Sequence, residues 1–281
     1  MLGLFLAVAF AFTPQDADNA YTIAREFVTK CTPRDAGSIR GKVASNYILD
    51  KASMSGADMR RDVFTAKTPK GMQQFVNLYC DFQADADSRW VVLVSHYDTK
   101  PGVACPGAND GASTCALLIA LARALCDWKT PKGNVMLVWT DGEECQASYG
   151  EDDGFWGSKR AVEYIQSKNR QIQAVLCLDM LGDRDLSISI PANGSEALAK
   201  IALHAADRAG LPGLVKRIPE LVKDDHVAFL DAGYKAIDLI DFEYGPGNSY
   251  WHTEKDTMEN VSRDSLYKSG KLVAELLNIL L

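Results

Sequence analysis

Three runs of unbroken apolar residues each stop abruptly at imidazole or carboxylate side chains, and this pattern restricts the fold more than any other feature of the chain. The run from Trp90 leads through Val91-Val92-Leu93-Val94-Ser95 into His96-Tyr97-Asp98. The run from Val135 leads into Asp141-Gly142-Glu143-Glu144, and the run from Ala174 leads into Leu178-Asp179-Met180. Strands this continuously apolar are buried on both faces, as at the centre of a sheet covered by helices on either side. Strands are predicted at 75–82, 90–97, 135–140, 174–181 and 235–240, with an alternating edge strand at 186–190. Helical spacing fills the intervals. One helix is expected from a cap at Asp18 to about Cys31, and a second from Ala36-Gly37-Ser38 to about Met54. Others begin at Asp110 and cover 157–167, 196–208 and 262–281. The alternation predicts an α/β fold with a single domain: a twisted mixed, mostly parallel sheet with helices on both faces.

A chain of 281 residues can bury the core such a domain needs. Its formal net charge of -7, with no Lys/Arg-rich block, excludes the electrostatic footprint of nucleic-acid binding. An acidic surface suits a basic N-terminal amine as substrate. Residues 2–12 are apolar and stop at Thr13-Pro14. That stretch is too short to span a bilayer, so no stable membrane insertion is expected. It resembles the core of a signal peptide, with Ala-x-Ala at Ala7/Ala9 and Ala9/Ala11, although the basic segment before it is missing. Residues 1–13 are therefore read as a signal peptide or its remnant and 14–281 as the catalytic domain of an exported monomer, periplasmic or extracellular. The other reading is a buried N-terminal strand or docked helix in a cytoplasmic protein.

None of the seven cysteines forms a Cys-x-x-Cys pair. Cys31, Cys80, Cys126 and Cys177 lie in apolar contexts and read as core residues. Cys105 precedes the Gly107-Ala108-Asn109-Asp110-Gly111 turn and Cys145 follows Glu144. If those loops meet, the two thiols are expected close enough to bridge in an oxidising compartment.

His96, Glu143, Glu144 and Asp179 fall at or just past strand ends, Asp110 opens a helix, and His252 lies in the long loop after the last strand. Open α/β sheets bind ligands beyond the carboxyl ends of their strands, so these motifs converge on one crevice. Zinc takes imidazole nitrogen and carboxylate oxygen, and a catalytic site keeps one position open. Asp110, Glu144 and His252 form such a three-ligand set. His96 and Asp179 could complete a second site, with Asp110 bridging the two. Glu143, beside a ligand, would face the open position as general base. Singly, each residue has a plainer role: a hydrogen-bonded loop histidine, a solvated helix start, a helix cap. Jointly those plain roles do not explain polar groups at five strand ends. His204, in a helical run, reads as an ordinary surface or core histidine.

His96-Tyr97-Asp98, Gly107–Gly111, Asp141–Glu144, Leu178-Asp179 and His252-Thr253 together resemble metallopeptidase family 28 over roughly residues 34–280. That family contains two-zinc aminopeptidases and, as a branch, animal-type glutaminyl cyclases. The resemblance implies a zinc exopeptidase-like fold and a cis peptide at Asp110–Gly111. Phe64–Gly71 with Phe75-Val76-Asn77, Asp224-Asp225-His226, Trp251 before His252, and Asp153–Ser158 are similar to the cyclase branch. Departures exist. Tyr149 replaces a tryptophan, Ser95 faces Cys115 where the animal enzymes bridge two cysteines, and Asp238 stands where they carry histidine.

A cyclase of this kind is implied to hold one zinc through Asp110, Glu144 and His252 and to convert N-terminal Gln of peptides to pyroglutamate with release of ammonia. Glu143 would move the proton, Asp179 and Asp224 would hold its network, and Trp251, Tyr149 and Asp225 would bind substrate. The alternative is an aminopeptidase with two zincs, the second held by His96 and Asp179. A third reading keeps the fold as a non-enzymatic binding module, which the intact ligand set and Glu143 argue against. The expected partners are peptide or protein N-termini.

Overall fold

The apolar runs pair side by side in the computed structural model, which describes residues 8–129, 131–150 and 152–281. Among the described residues the strands are β1 (Met59–Thr68), β2 (Gly71–Phe82), β3 (Trp90–His96), β4 (Asn134–Thr140), β5 (Ile172–Asp179), β6 (Ile188–Ile190), β7 (Val215–Arg217) and β8 (Ala236–Ile240). The helices are α1 (Pro14–Cys31), α2 (Ile39–Ser53), α3 (Thr114–Asp127), α4 (Trp156–Ser167), α5 (Glu196–Arg208), α6 (His226–Asp231) and α7 (Arg263–Leu280). The eight strands form one sheet in the order β1-β2-β4-β3-β5-β8-β6-β7. Its centre, β4-β3-β5-β8, is parallel, while β1, β2 and β6 join their inner neighbours antiparallel.

Period-two alternation sends successive residues of β3 to opposite faces. Val91 and Leu93 join one core with Leu137, Leu176 and Leu239 beneath α1, α2, α3, α5 and α7. Val92 and Val94 join the other with Met136, Val138 and Val175 beneath α4 and α6. The mixed sheet with helices on both faces is therefore the one expected. Every residue of β3 and β4 is buried, so only the strand ends can meet a ligand.

Some boundaries differ from expectation. Thr13, not Asp18, caps α1: its hydroxyl accepts from Asp16 N–H, Asp16 returns a bond to its backbone, and Pro14 opens the helix. Asp110 does not start α3. It sits in a wide turn with φ -102 and ψ 95, and the regular helix begins at Thr114. Residues 186–190 supply β6, which lies between β8 and β7 and not at the edge, and the edges are β1 and β7. Of the expected leader, residues 1–7 lie outside the described residues. Phe10 and Phe12 are buried in the core, with Phe10 clasped to Asn278 by two hydrogen bonds of 2.8 and 2.9 Å. No helix among the described residues is long and apolar enough to cross a membrane.

Candidate active site

The sheet delivers its polar residues to one end. His96 is the last residue of β3 and Asp179 the last of β5. Glu143 and Glu144 follow β4, Asp224 and Asp225 precede α6, and Trp251 and His252 lie between β8 and α7.

Each loop is fixed by a buried group that local pattern could not reveal. Asp98 accepts from three consecutive backbone N–H groups, those of Gly142, Glu143 and Glu144, at 3.0, 3.2 and 3.1 Å. The base candidate and its neighbouring ligand candidate are thereby tied to the strand that carries His96. Asp153 makes a second clasp further along, accepting from Gln146, Ala147 and Ser148 N–H at 2.6, 2.8 and 2.8 Å. Asp256 accepts from Asn109 and Asp110 N–H and from the Tyr244 hydroxyl. The fully buried Arg34 guanidinium donates to the carbonyls of Tyr97, Pro106 and Gly107. Asp110–Gly111 is cis, as the resemblance implied. A Cβ at Gly111 would stand 2.7 Å from both His96 Nε2 and His96 O, so glycine is required there.

The six ligand and base candidates do converge. His252 Nε2 lies 2.8 Å from Glu144 Oε1 and 3.2 Å from Asp110 Oδ2. His96 Nε2 lies 3.1 Å from Asp110 Oδ1 and 3.1 Å from Asp179 Oδ1. Asp110 thus stands between the two imidazoles. The triads Asp110/Glu144/His252 and His96/Asp110/Asp179 each place their donor atoms within 4.8 Å of one another. Glu143 lines the same cavity, about 230 Å³ in volume, with an apolar wall of Ile240, Phe242 and Trp251. The Trp251 indole stacks on His252 at 4.0 Å between centroids.

Burial and charge set the protonation of these groups. Burial, then the charge of Glu144, holds Glu143 well above the usual carboxylate range. Burial raises Asp179 to about 6, against the pull of His96. Burial and the charge of Asp179 raise Asp224 to about 7. Asp238 is likewise held high by burial and by Asp224. Burial works against Asp110, yet hydrogen bonds from His252 and His96 keep it well below the usual range. Burial would lower His252, but Asp110 and Glu144 bring it to about 9. Such a density of buried carboxylates around two imidazoles fits a divalent cation that prefers nitrogen and oxygen donors.

Two expectations need correction. Cys105 and Cys145 are both free: the Cys105 thiol lies 3.7 Å from Asp256, and Cys145 Sγ accepts from Lys100 Nζ at 2.8 Å. Their loops aim them at different partners. Asp225 does not line the cavity; it is buried, with the Thr140 hydroxyl donating to it at 2.7 Å. Tyr149 lines the cavity, and its hydroxyl also lies 3.2 Å from Glu143 Oε2 and 3.0 Å from Glu144 Oε2. Sequence reasoning missed Lys100, which lies 3.5 Å from Glu144 and over the Tyr149 ring. No local pattern marks a lone lysine beside a motif. Exposed His204 is the ordinary surface histidine expected.

His226 gives a pH test of the loop beside Asp224. It is fully buried, and burial lowers it from 6.5 to about 4. Above the ordinary value it is neutral in both folded and unfolded chains and contributes no pH dependence. As pH falls below about 6.5, the unfolded chain takes up the proton first and stability is lost, on the order of 3 kcal/mol by about pH 4. Urea unfolding between pH 7 and 4.5 should therefore fall more steeply for the wild type than for His226→Asn. Parallel profiles would refute the assignment.

The model of peptidase family M28 matches residues 77–277. The glutaminyl-peptide cyclotransferase of Drosophila melanogaster is 29% identical over 264 residues, covering 83% of this chain and 73% of the relative. A glutaminyl-peptide cyclotransferase-like protein of Bos taurus is 28% identical over 293 residues, 91% of this chain and 73% of the relative. Among solved structures, an Acidobacteriales bacterium glutaminyl cyclase superposes with a TM-score of 0.89 at 29% identity, covering 100% of this chain and 98% of that one. A leucine aminopeptidase precursor from Bacteroides thetaiotaomicron superposes with a TM-score of 0.83 at 22% identity, over 97% of this chain and 98% of that one, a likeness of fold alone.

Proposed function

Because this chain belongs to peptidase family M28, we propose that it is a zinc-dependent glutaminyl-peptide cyclotransferase. It is an enzyme, and its glutaminyl-cyclase relatives support that activity. The observation that carries the finer reading is the convergence of Asp110, Glu144 and His252 beside Glu143 in a small, apolar-walled cavity.

Asp110, Glu144 and His252 would hold the metal. Zinc bound there would polarise the γ-carbonyl of an N-terminal glutamine. Trp251, Phe242 and Ile240 surround the glutamine side chain and exclude water. Glu143 takes a proton from the α-amine as its nitrogen attacks the side-chain carbonyl carbon. The ring C–N bond forms, the bond to the amide nitrogen breaks, and Glu143 returns the proton to departing ammonia. A carboxylate held above its usual range is suited to carry that proton near neutral pH. Asp179 and Asp224, backed by Asp238, keep a proton in reach of this relay. Attack is intramolecular, so orienting the chain end lowers much of the barrier.

The position of Asp110 between His96 and His252 favours a second reading, a two-zinc aminopeptidase in which Asp110 bridges. One experiment separates the two. Purified protein is assayed for ammonia and pyroglutamyl product from Gln-peptides, with zinc measured per chain. One zinc with stoichiometric ammonia is expected. Two zincs, free amino acids from ordinary peptides and no ammonia would overturn the cyclase. Export of the chain is proposed from the composition of residues 1–13.

A further inference from the structure

A second cavity of about 590 Å³ adjoins the catalytic one. Its volume lies in the range of about 300–1,000 Å³ in which ligand sites fall. The two share Lys223, and the same two segments wall both. In the first segment, Glu143, Glu144 and Tyr149 face the catalytic cavity while Gly150 and Phe155 face the second. The Tyr149 and Phe155 rings stack at 4.8 Å, so one aromatic pair forms the partition. In the second segment, Leu221, Val222 and Asp224 face the catalytic cavity, and Val227, Ala228 and Ala232 face the other. Leu221 stands at the rim, 75% exposed.

We propose that this groove, between α4 and α6, binds the residues that follow the N-terminal glutamine and selects for apolar side chains from the third residue on. The inference rests on the cyclase reading. A peptide whose first residue fills a 230 Å³ cavity must leave by its mouth, and the shared walls lead into the groove. Its surface carries Phe155, Val162, Val227 and Ala228, so a chain laid along it buries apolar side chains. Among the described residues, Lys159, Lys223 and Asp231 stand at its edges. Lys223 makes no ion pair among the described residues and stands where the two cavities meet. It would favour an acidic side chain immediately after the glutamine.

The test compares kcat/KM for ammonia release from Gln-amide and from the peptides Gln-Glu-Leu-Phe-amide and Gln-Lys-Leu-Phe-amide. The wild type should prefer Gln-Glu-Leu-Phe-amide over Gln-amide by about tenfold, the discrimination that one or two apolar contacts give. Val227→Asp puts a charge on the groove wall and should bring that ratio close to one. Val227 is half-buried and outside the core clusters, and the ratio cancels any loss of folded protein. Lys223→Glu should invert the preference between the Glu and Lys peptides. Ammonia from all three substrates at similar kcat/KM, or ratios unmoved by both variants, overturns the groove and leaves the cyclase standing. Absence of ammonia from every substrate overturns the cyclase reading, and the groove proposal falls with it.

Discussion

Glu143→Gln is expected to slow ammonia release by about 10²–10⁴-fold, the usual contribution of a positioned acid–base group. Gln keeps the size and the neighbouring hydrogen bonds of the side chain but cannot take a proton. The backbone at this position is held by Asp98, so the loop should not move. Zinc content and the urea midpoint should therefore match the wild type. Glu143 reaches the Tyr149 hydroxyl and lies against Glu144, which makes the zinc measurement essential. A variant that lost both metal and activity would assign Glu143 to the ligand set. A variant that kept full activity would remove it from the reaction.

The second large effect separates the two imidazoles. His252→Ala should lose the metal and lower activity by more than about 100-fold, since even partners behind a ligand contribute about 10–100-fold. Its Nε2 faces both Glu144 and Asp110. His96→Ala should behave differently under the cyclase reading: one zinc stays bound and ammonia release persists at a reduced rate. His96 then acts by holding Asp110 and Asp179 in place. Metal analysis by mass spectrometry beside the ammonia assay decides the matter. Loss of one of two zincs on His96→Ala, with most activity, would favour the aminopeptidase.

The central strands and the site motifs were legible because their signals are local. Val91–Val94 and Val135–Val138 are apolar without interruption, and His96 and Asp179 mark where each buried strand meets the crevice. β1 was missed for a related reason. Its residues alternate between half-buried and exposed, with Arg60, Arg61, Asp62 and Lys67 along a sheet edge, so its pattern resembles that of a polar loop. β7 and α6 are too short for periodicity to register. The groups that hold the site were hidden differently. Asp256 bonds residues 147 and 146 positions away, and Arg34 reaches carbonyls more than 60 positions away. Such partners are chosen by the folded topology, and no spacing in the sequence announces them. Cys105 and Cys145 show the converse: both flank motif residues, yet each loop turns its thiol elsewhere.

Two carboxylate clasps hold the segment after β4. Asp98 grips residues 142–144, and Asp153 grips 146–148 on its own. The chemistry hangs from the first grip. The partition between the two cavities is tied back to that same grip: Phe155 N–H donates to Glu143 O at 3.0 Å, and the Tyr149 hydroxyl reaches Glu143 and Glu144. Substitutions at Tyr149 or Phe155 should therefore move acceptance and rate together, and a lineage could not drift in specificity there while its reaction stayed fixed. For redesign, residues 146–148, which only Asp153 clasps, are the place to begin, with both aspartates and Tyr149 left as they stand.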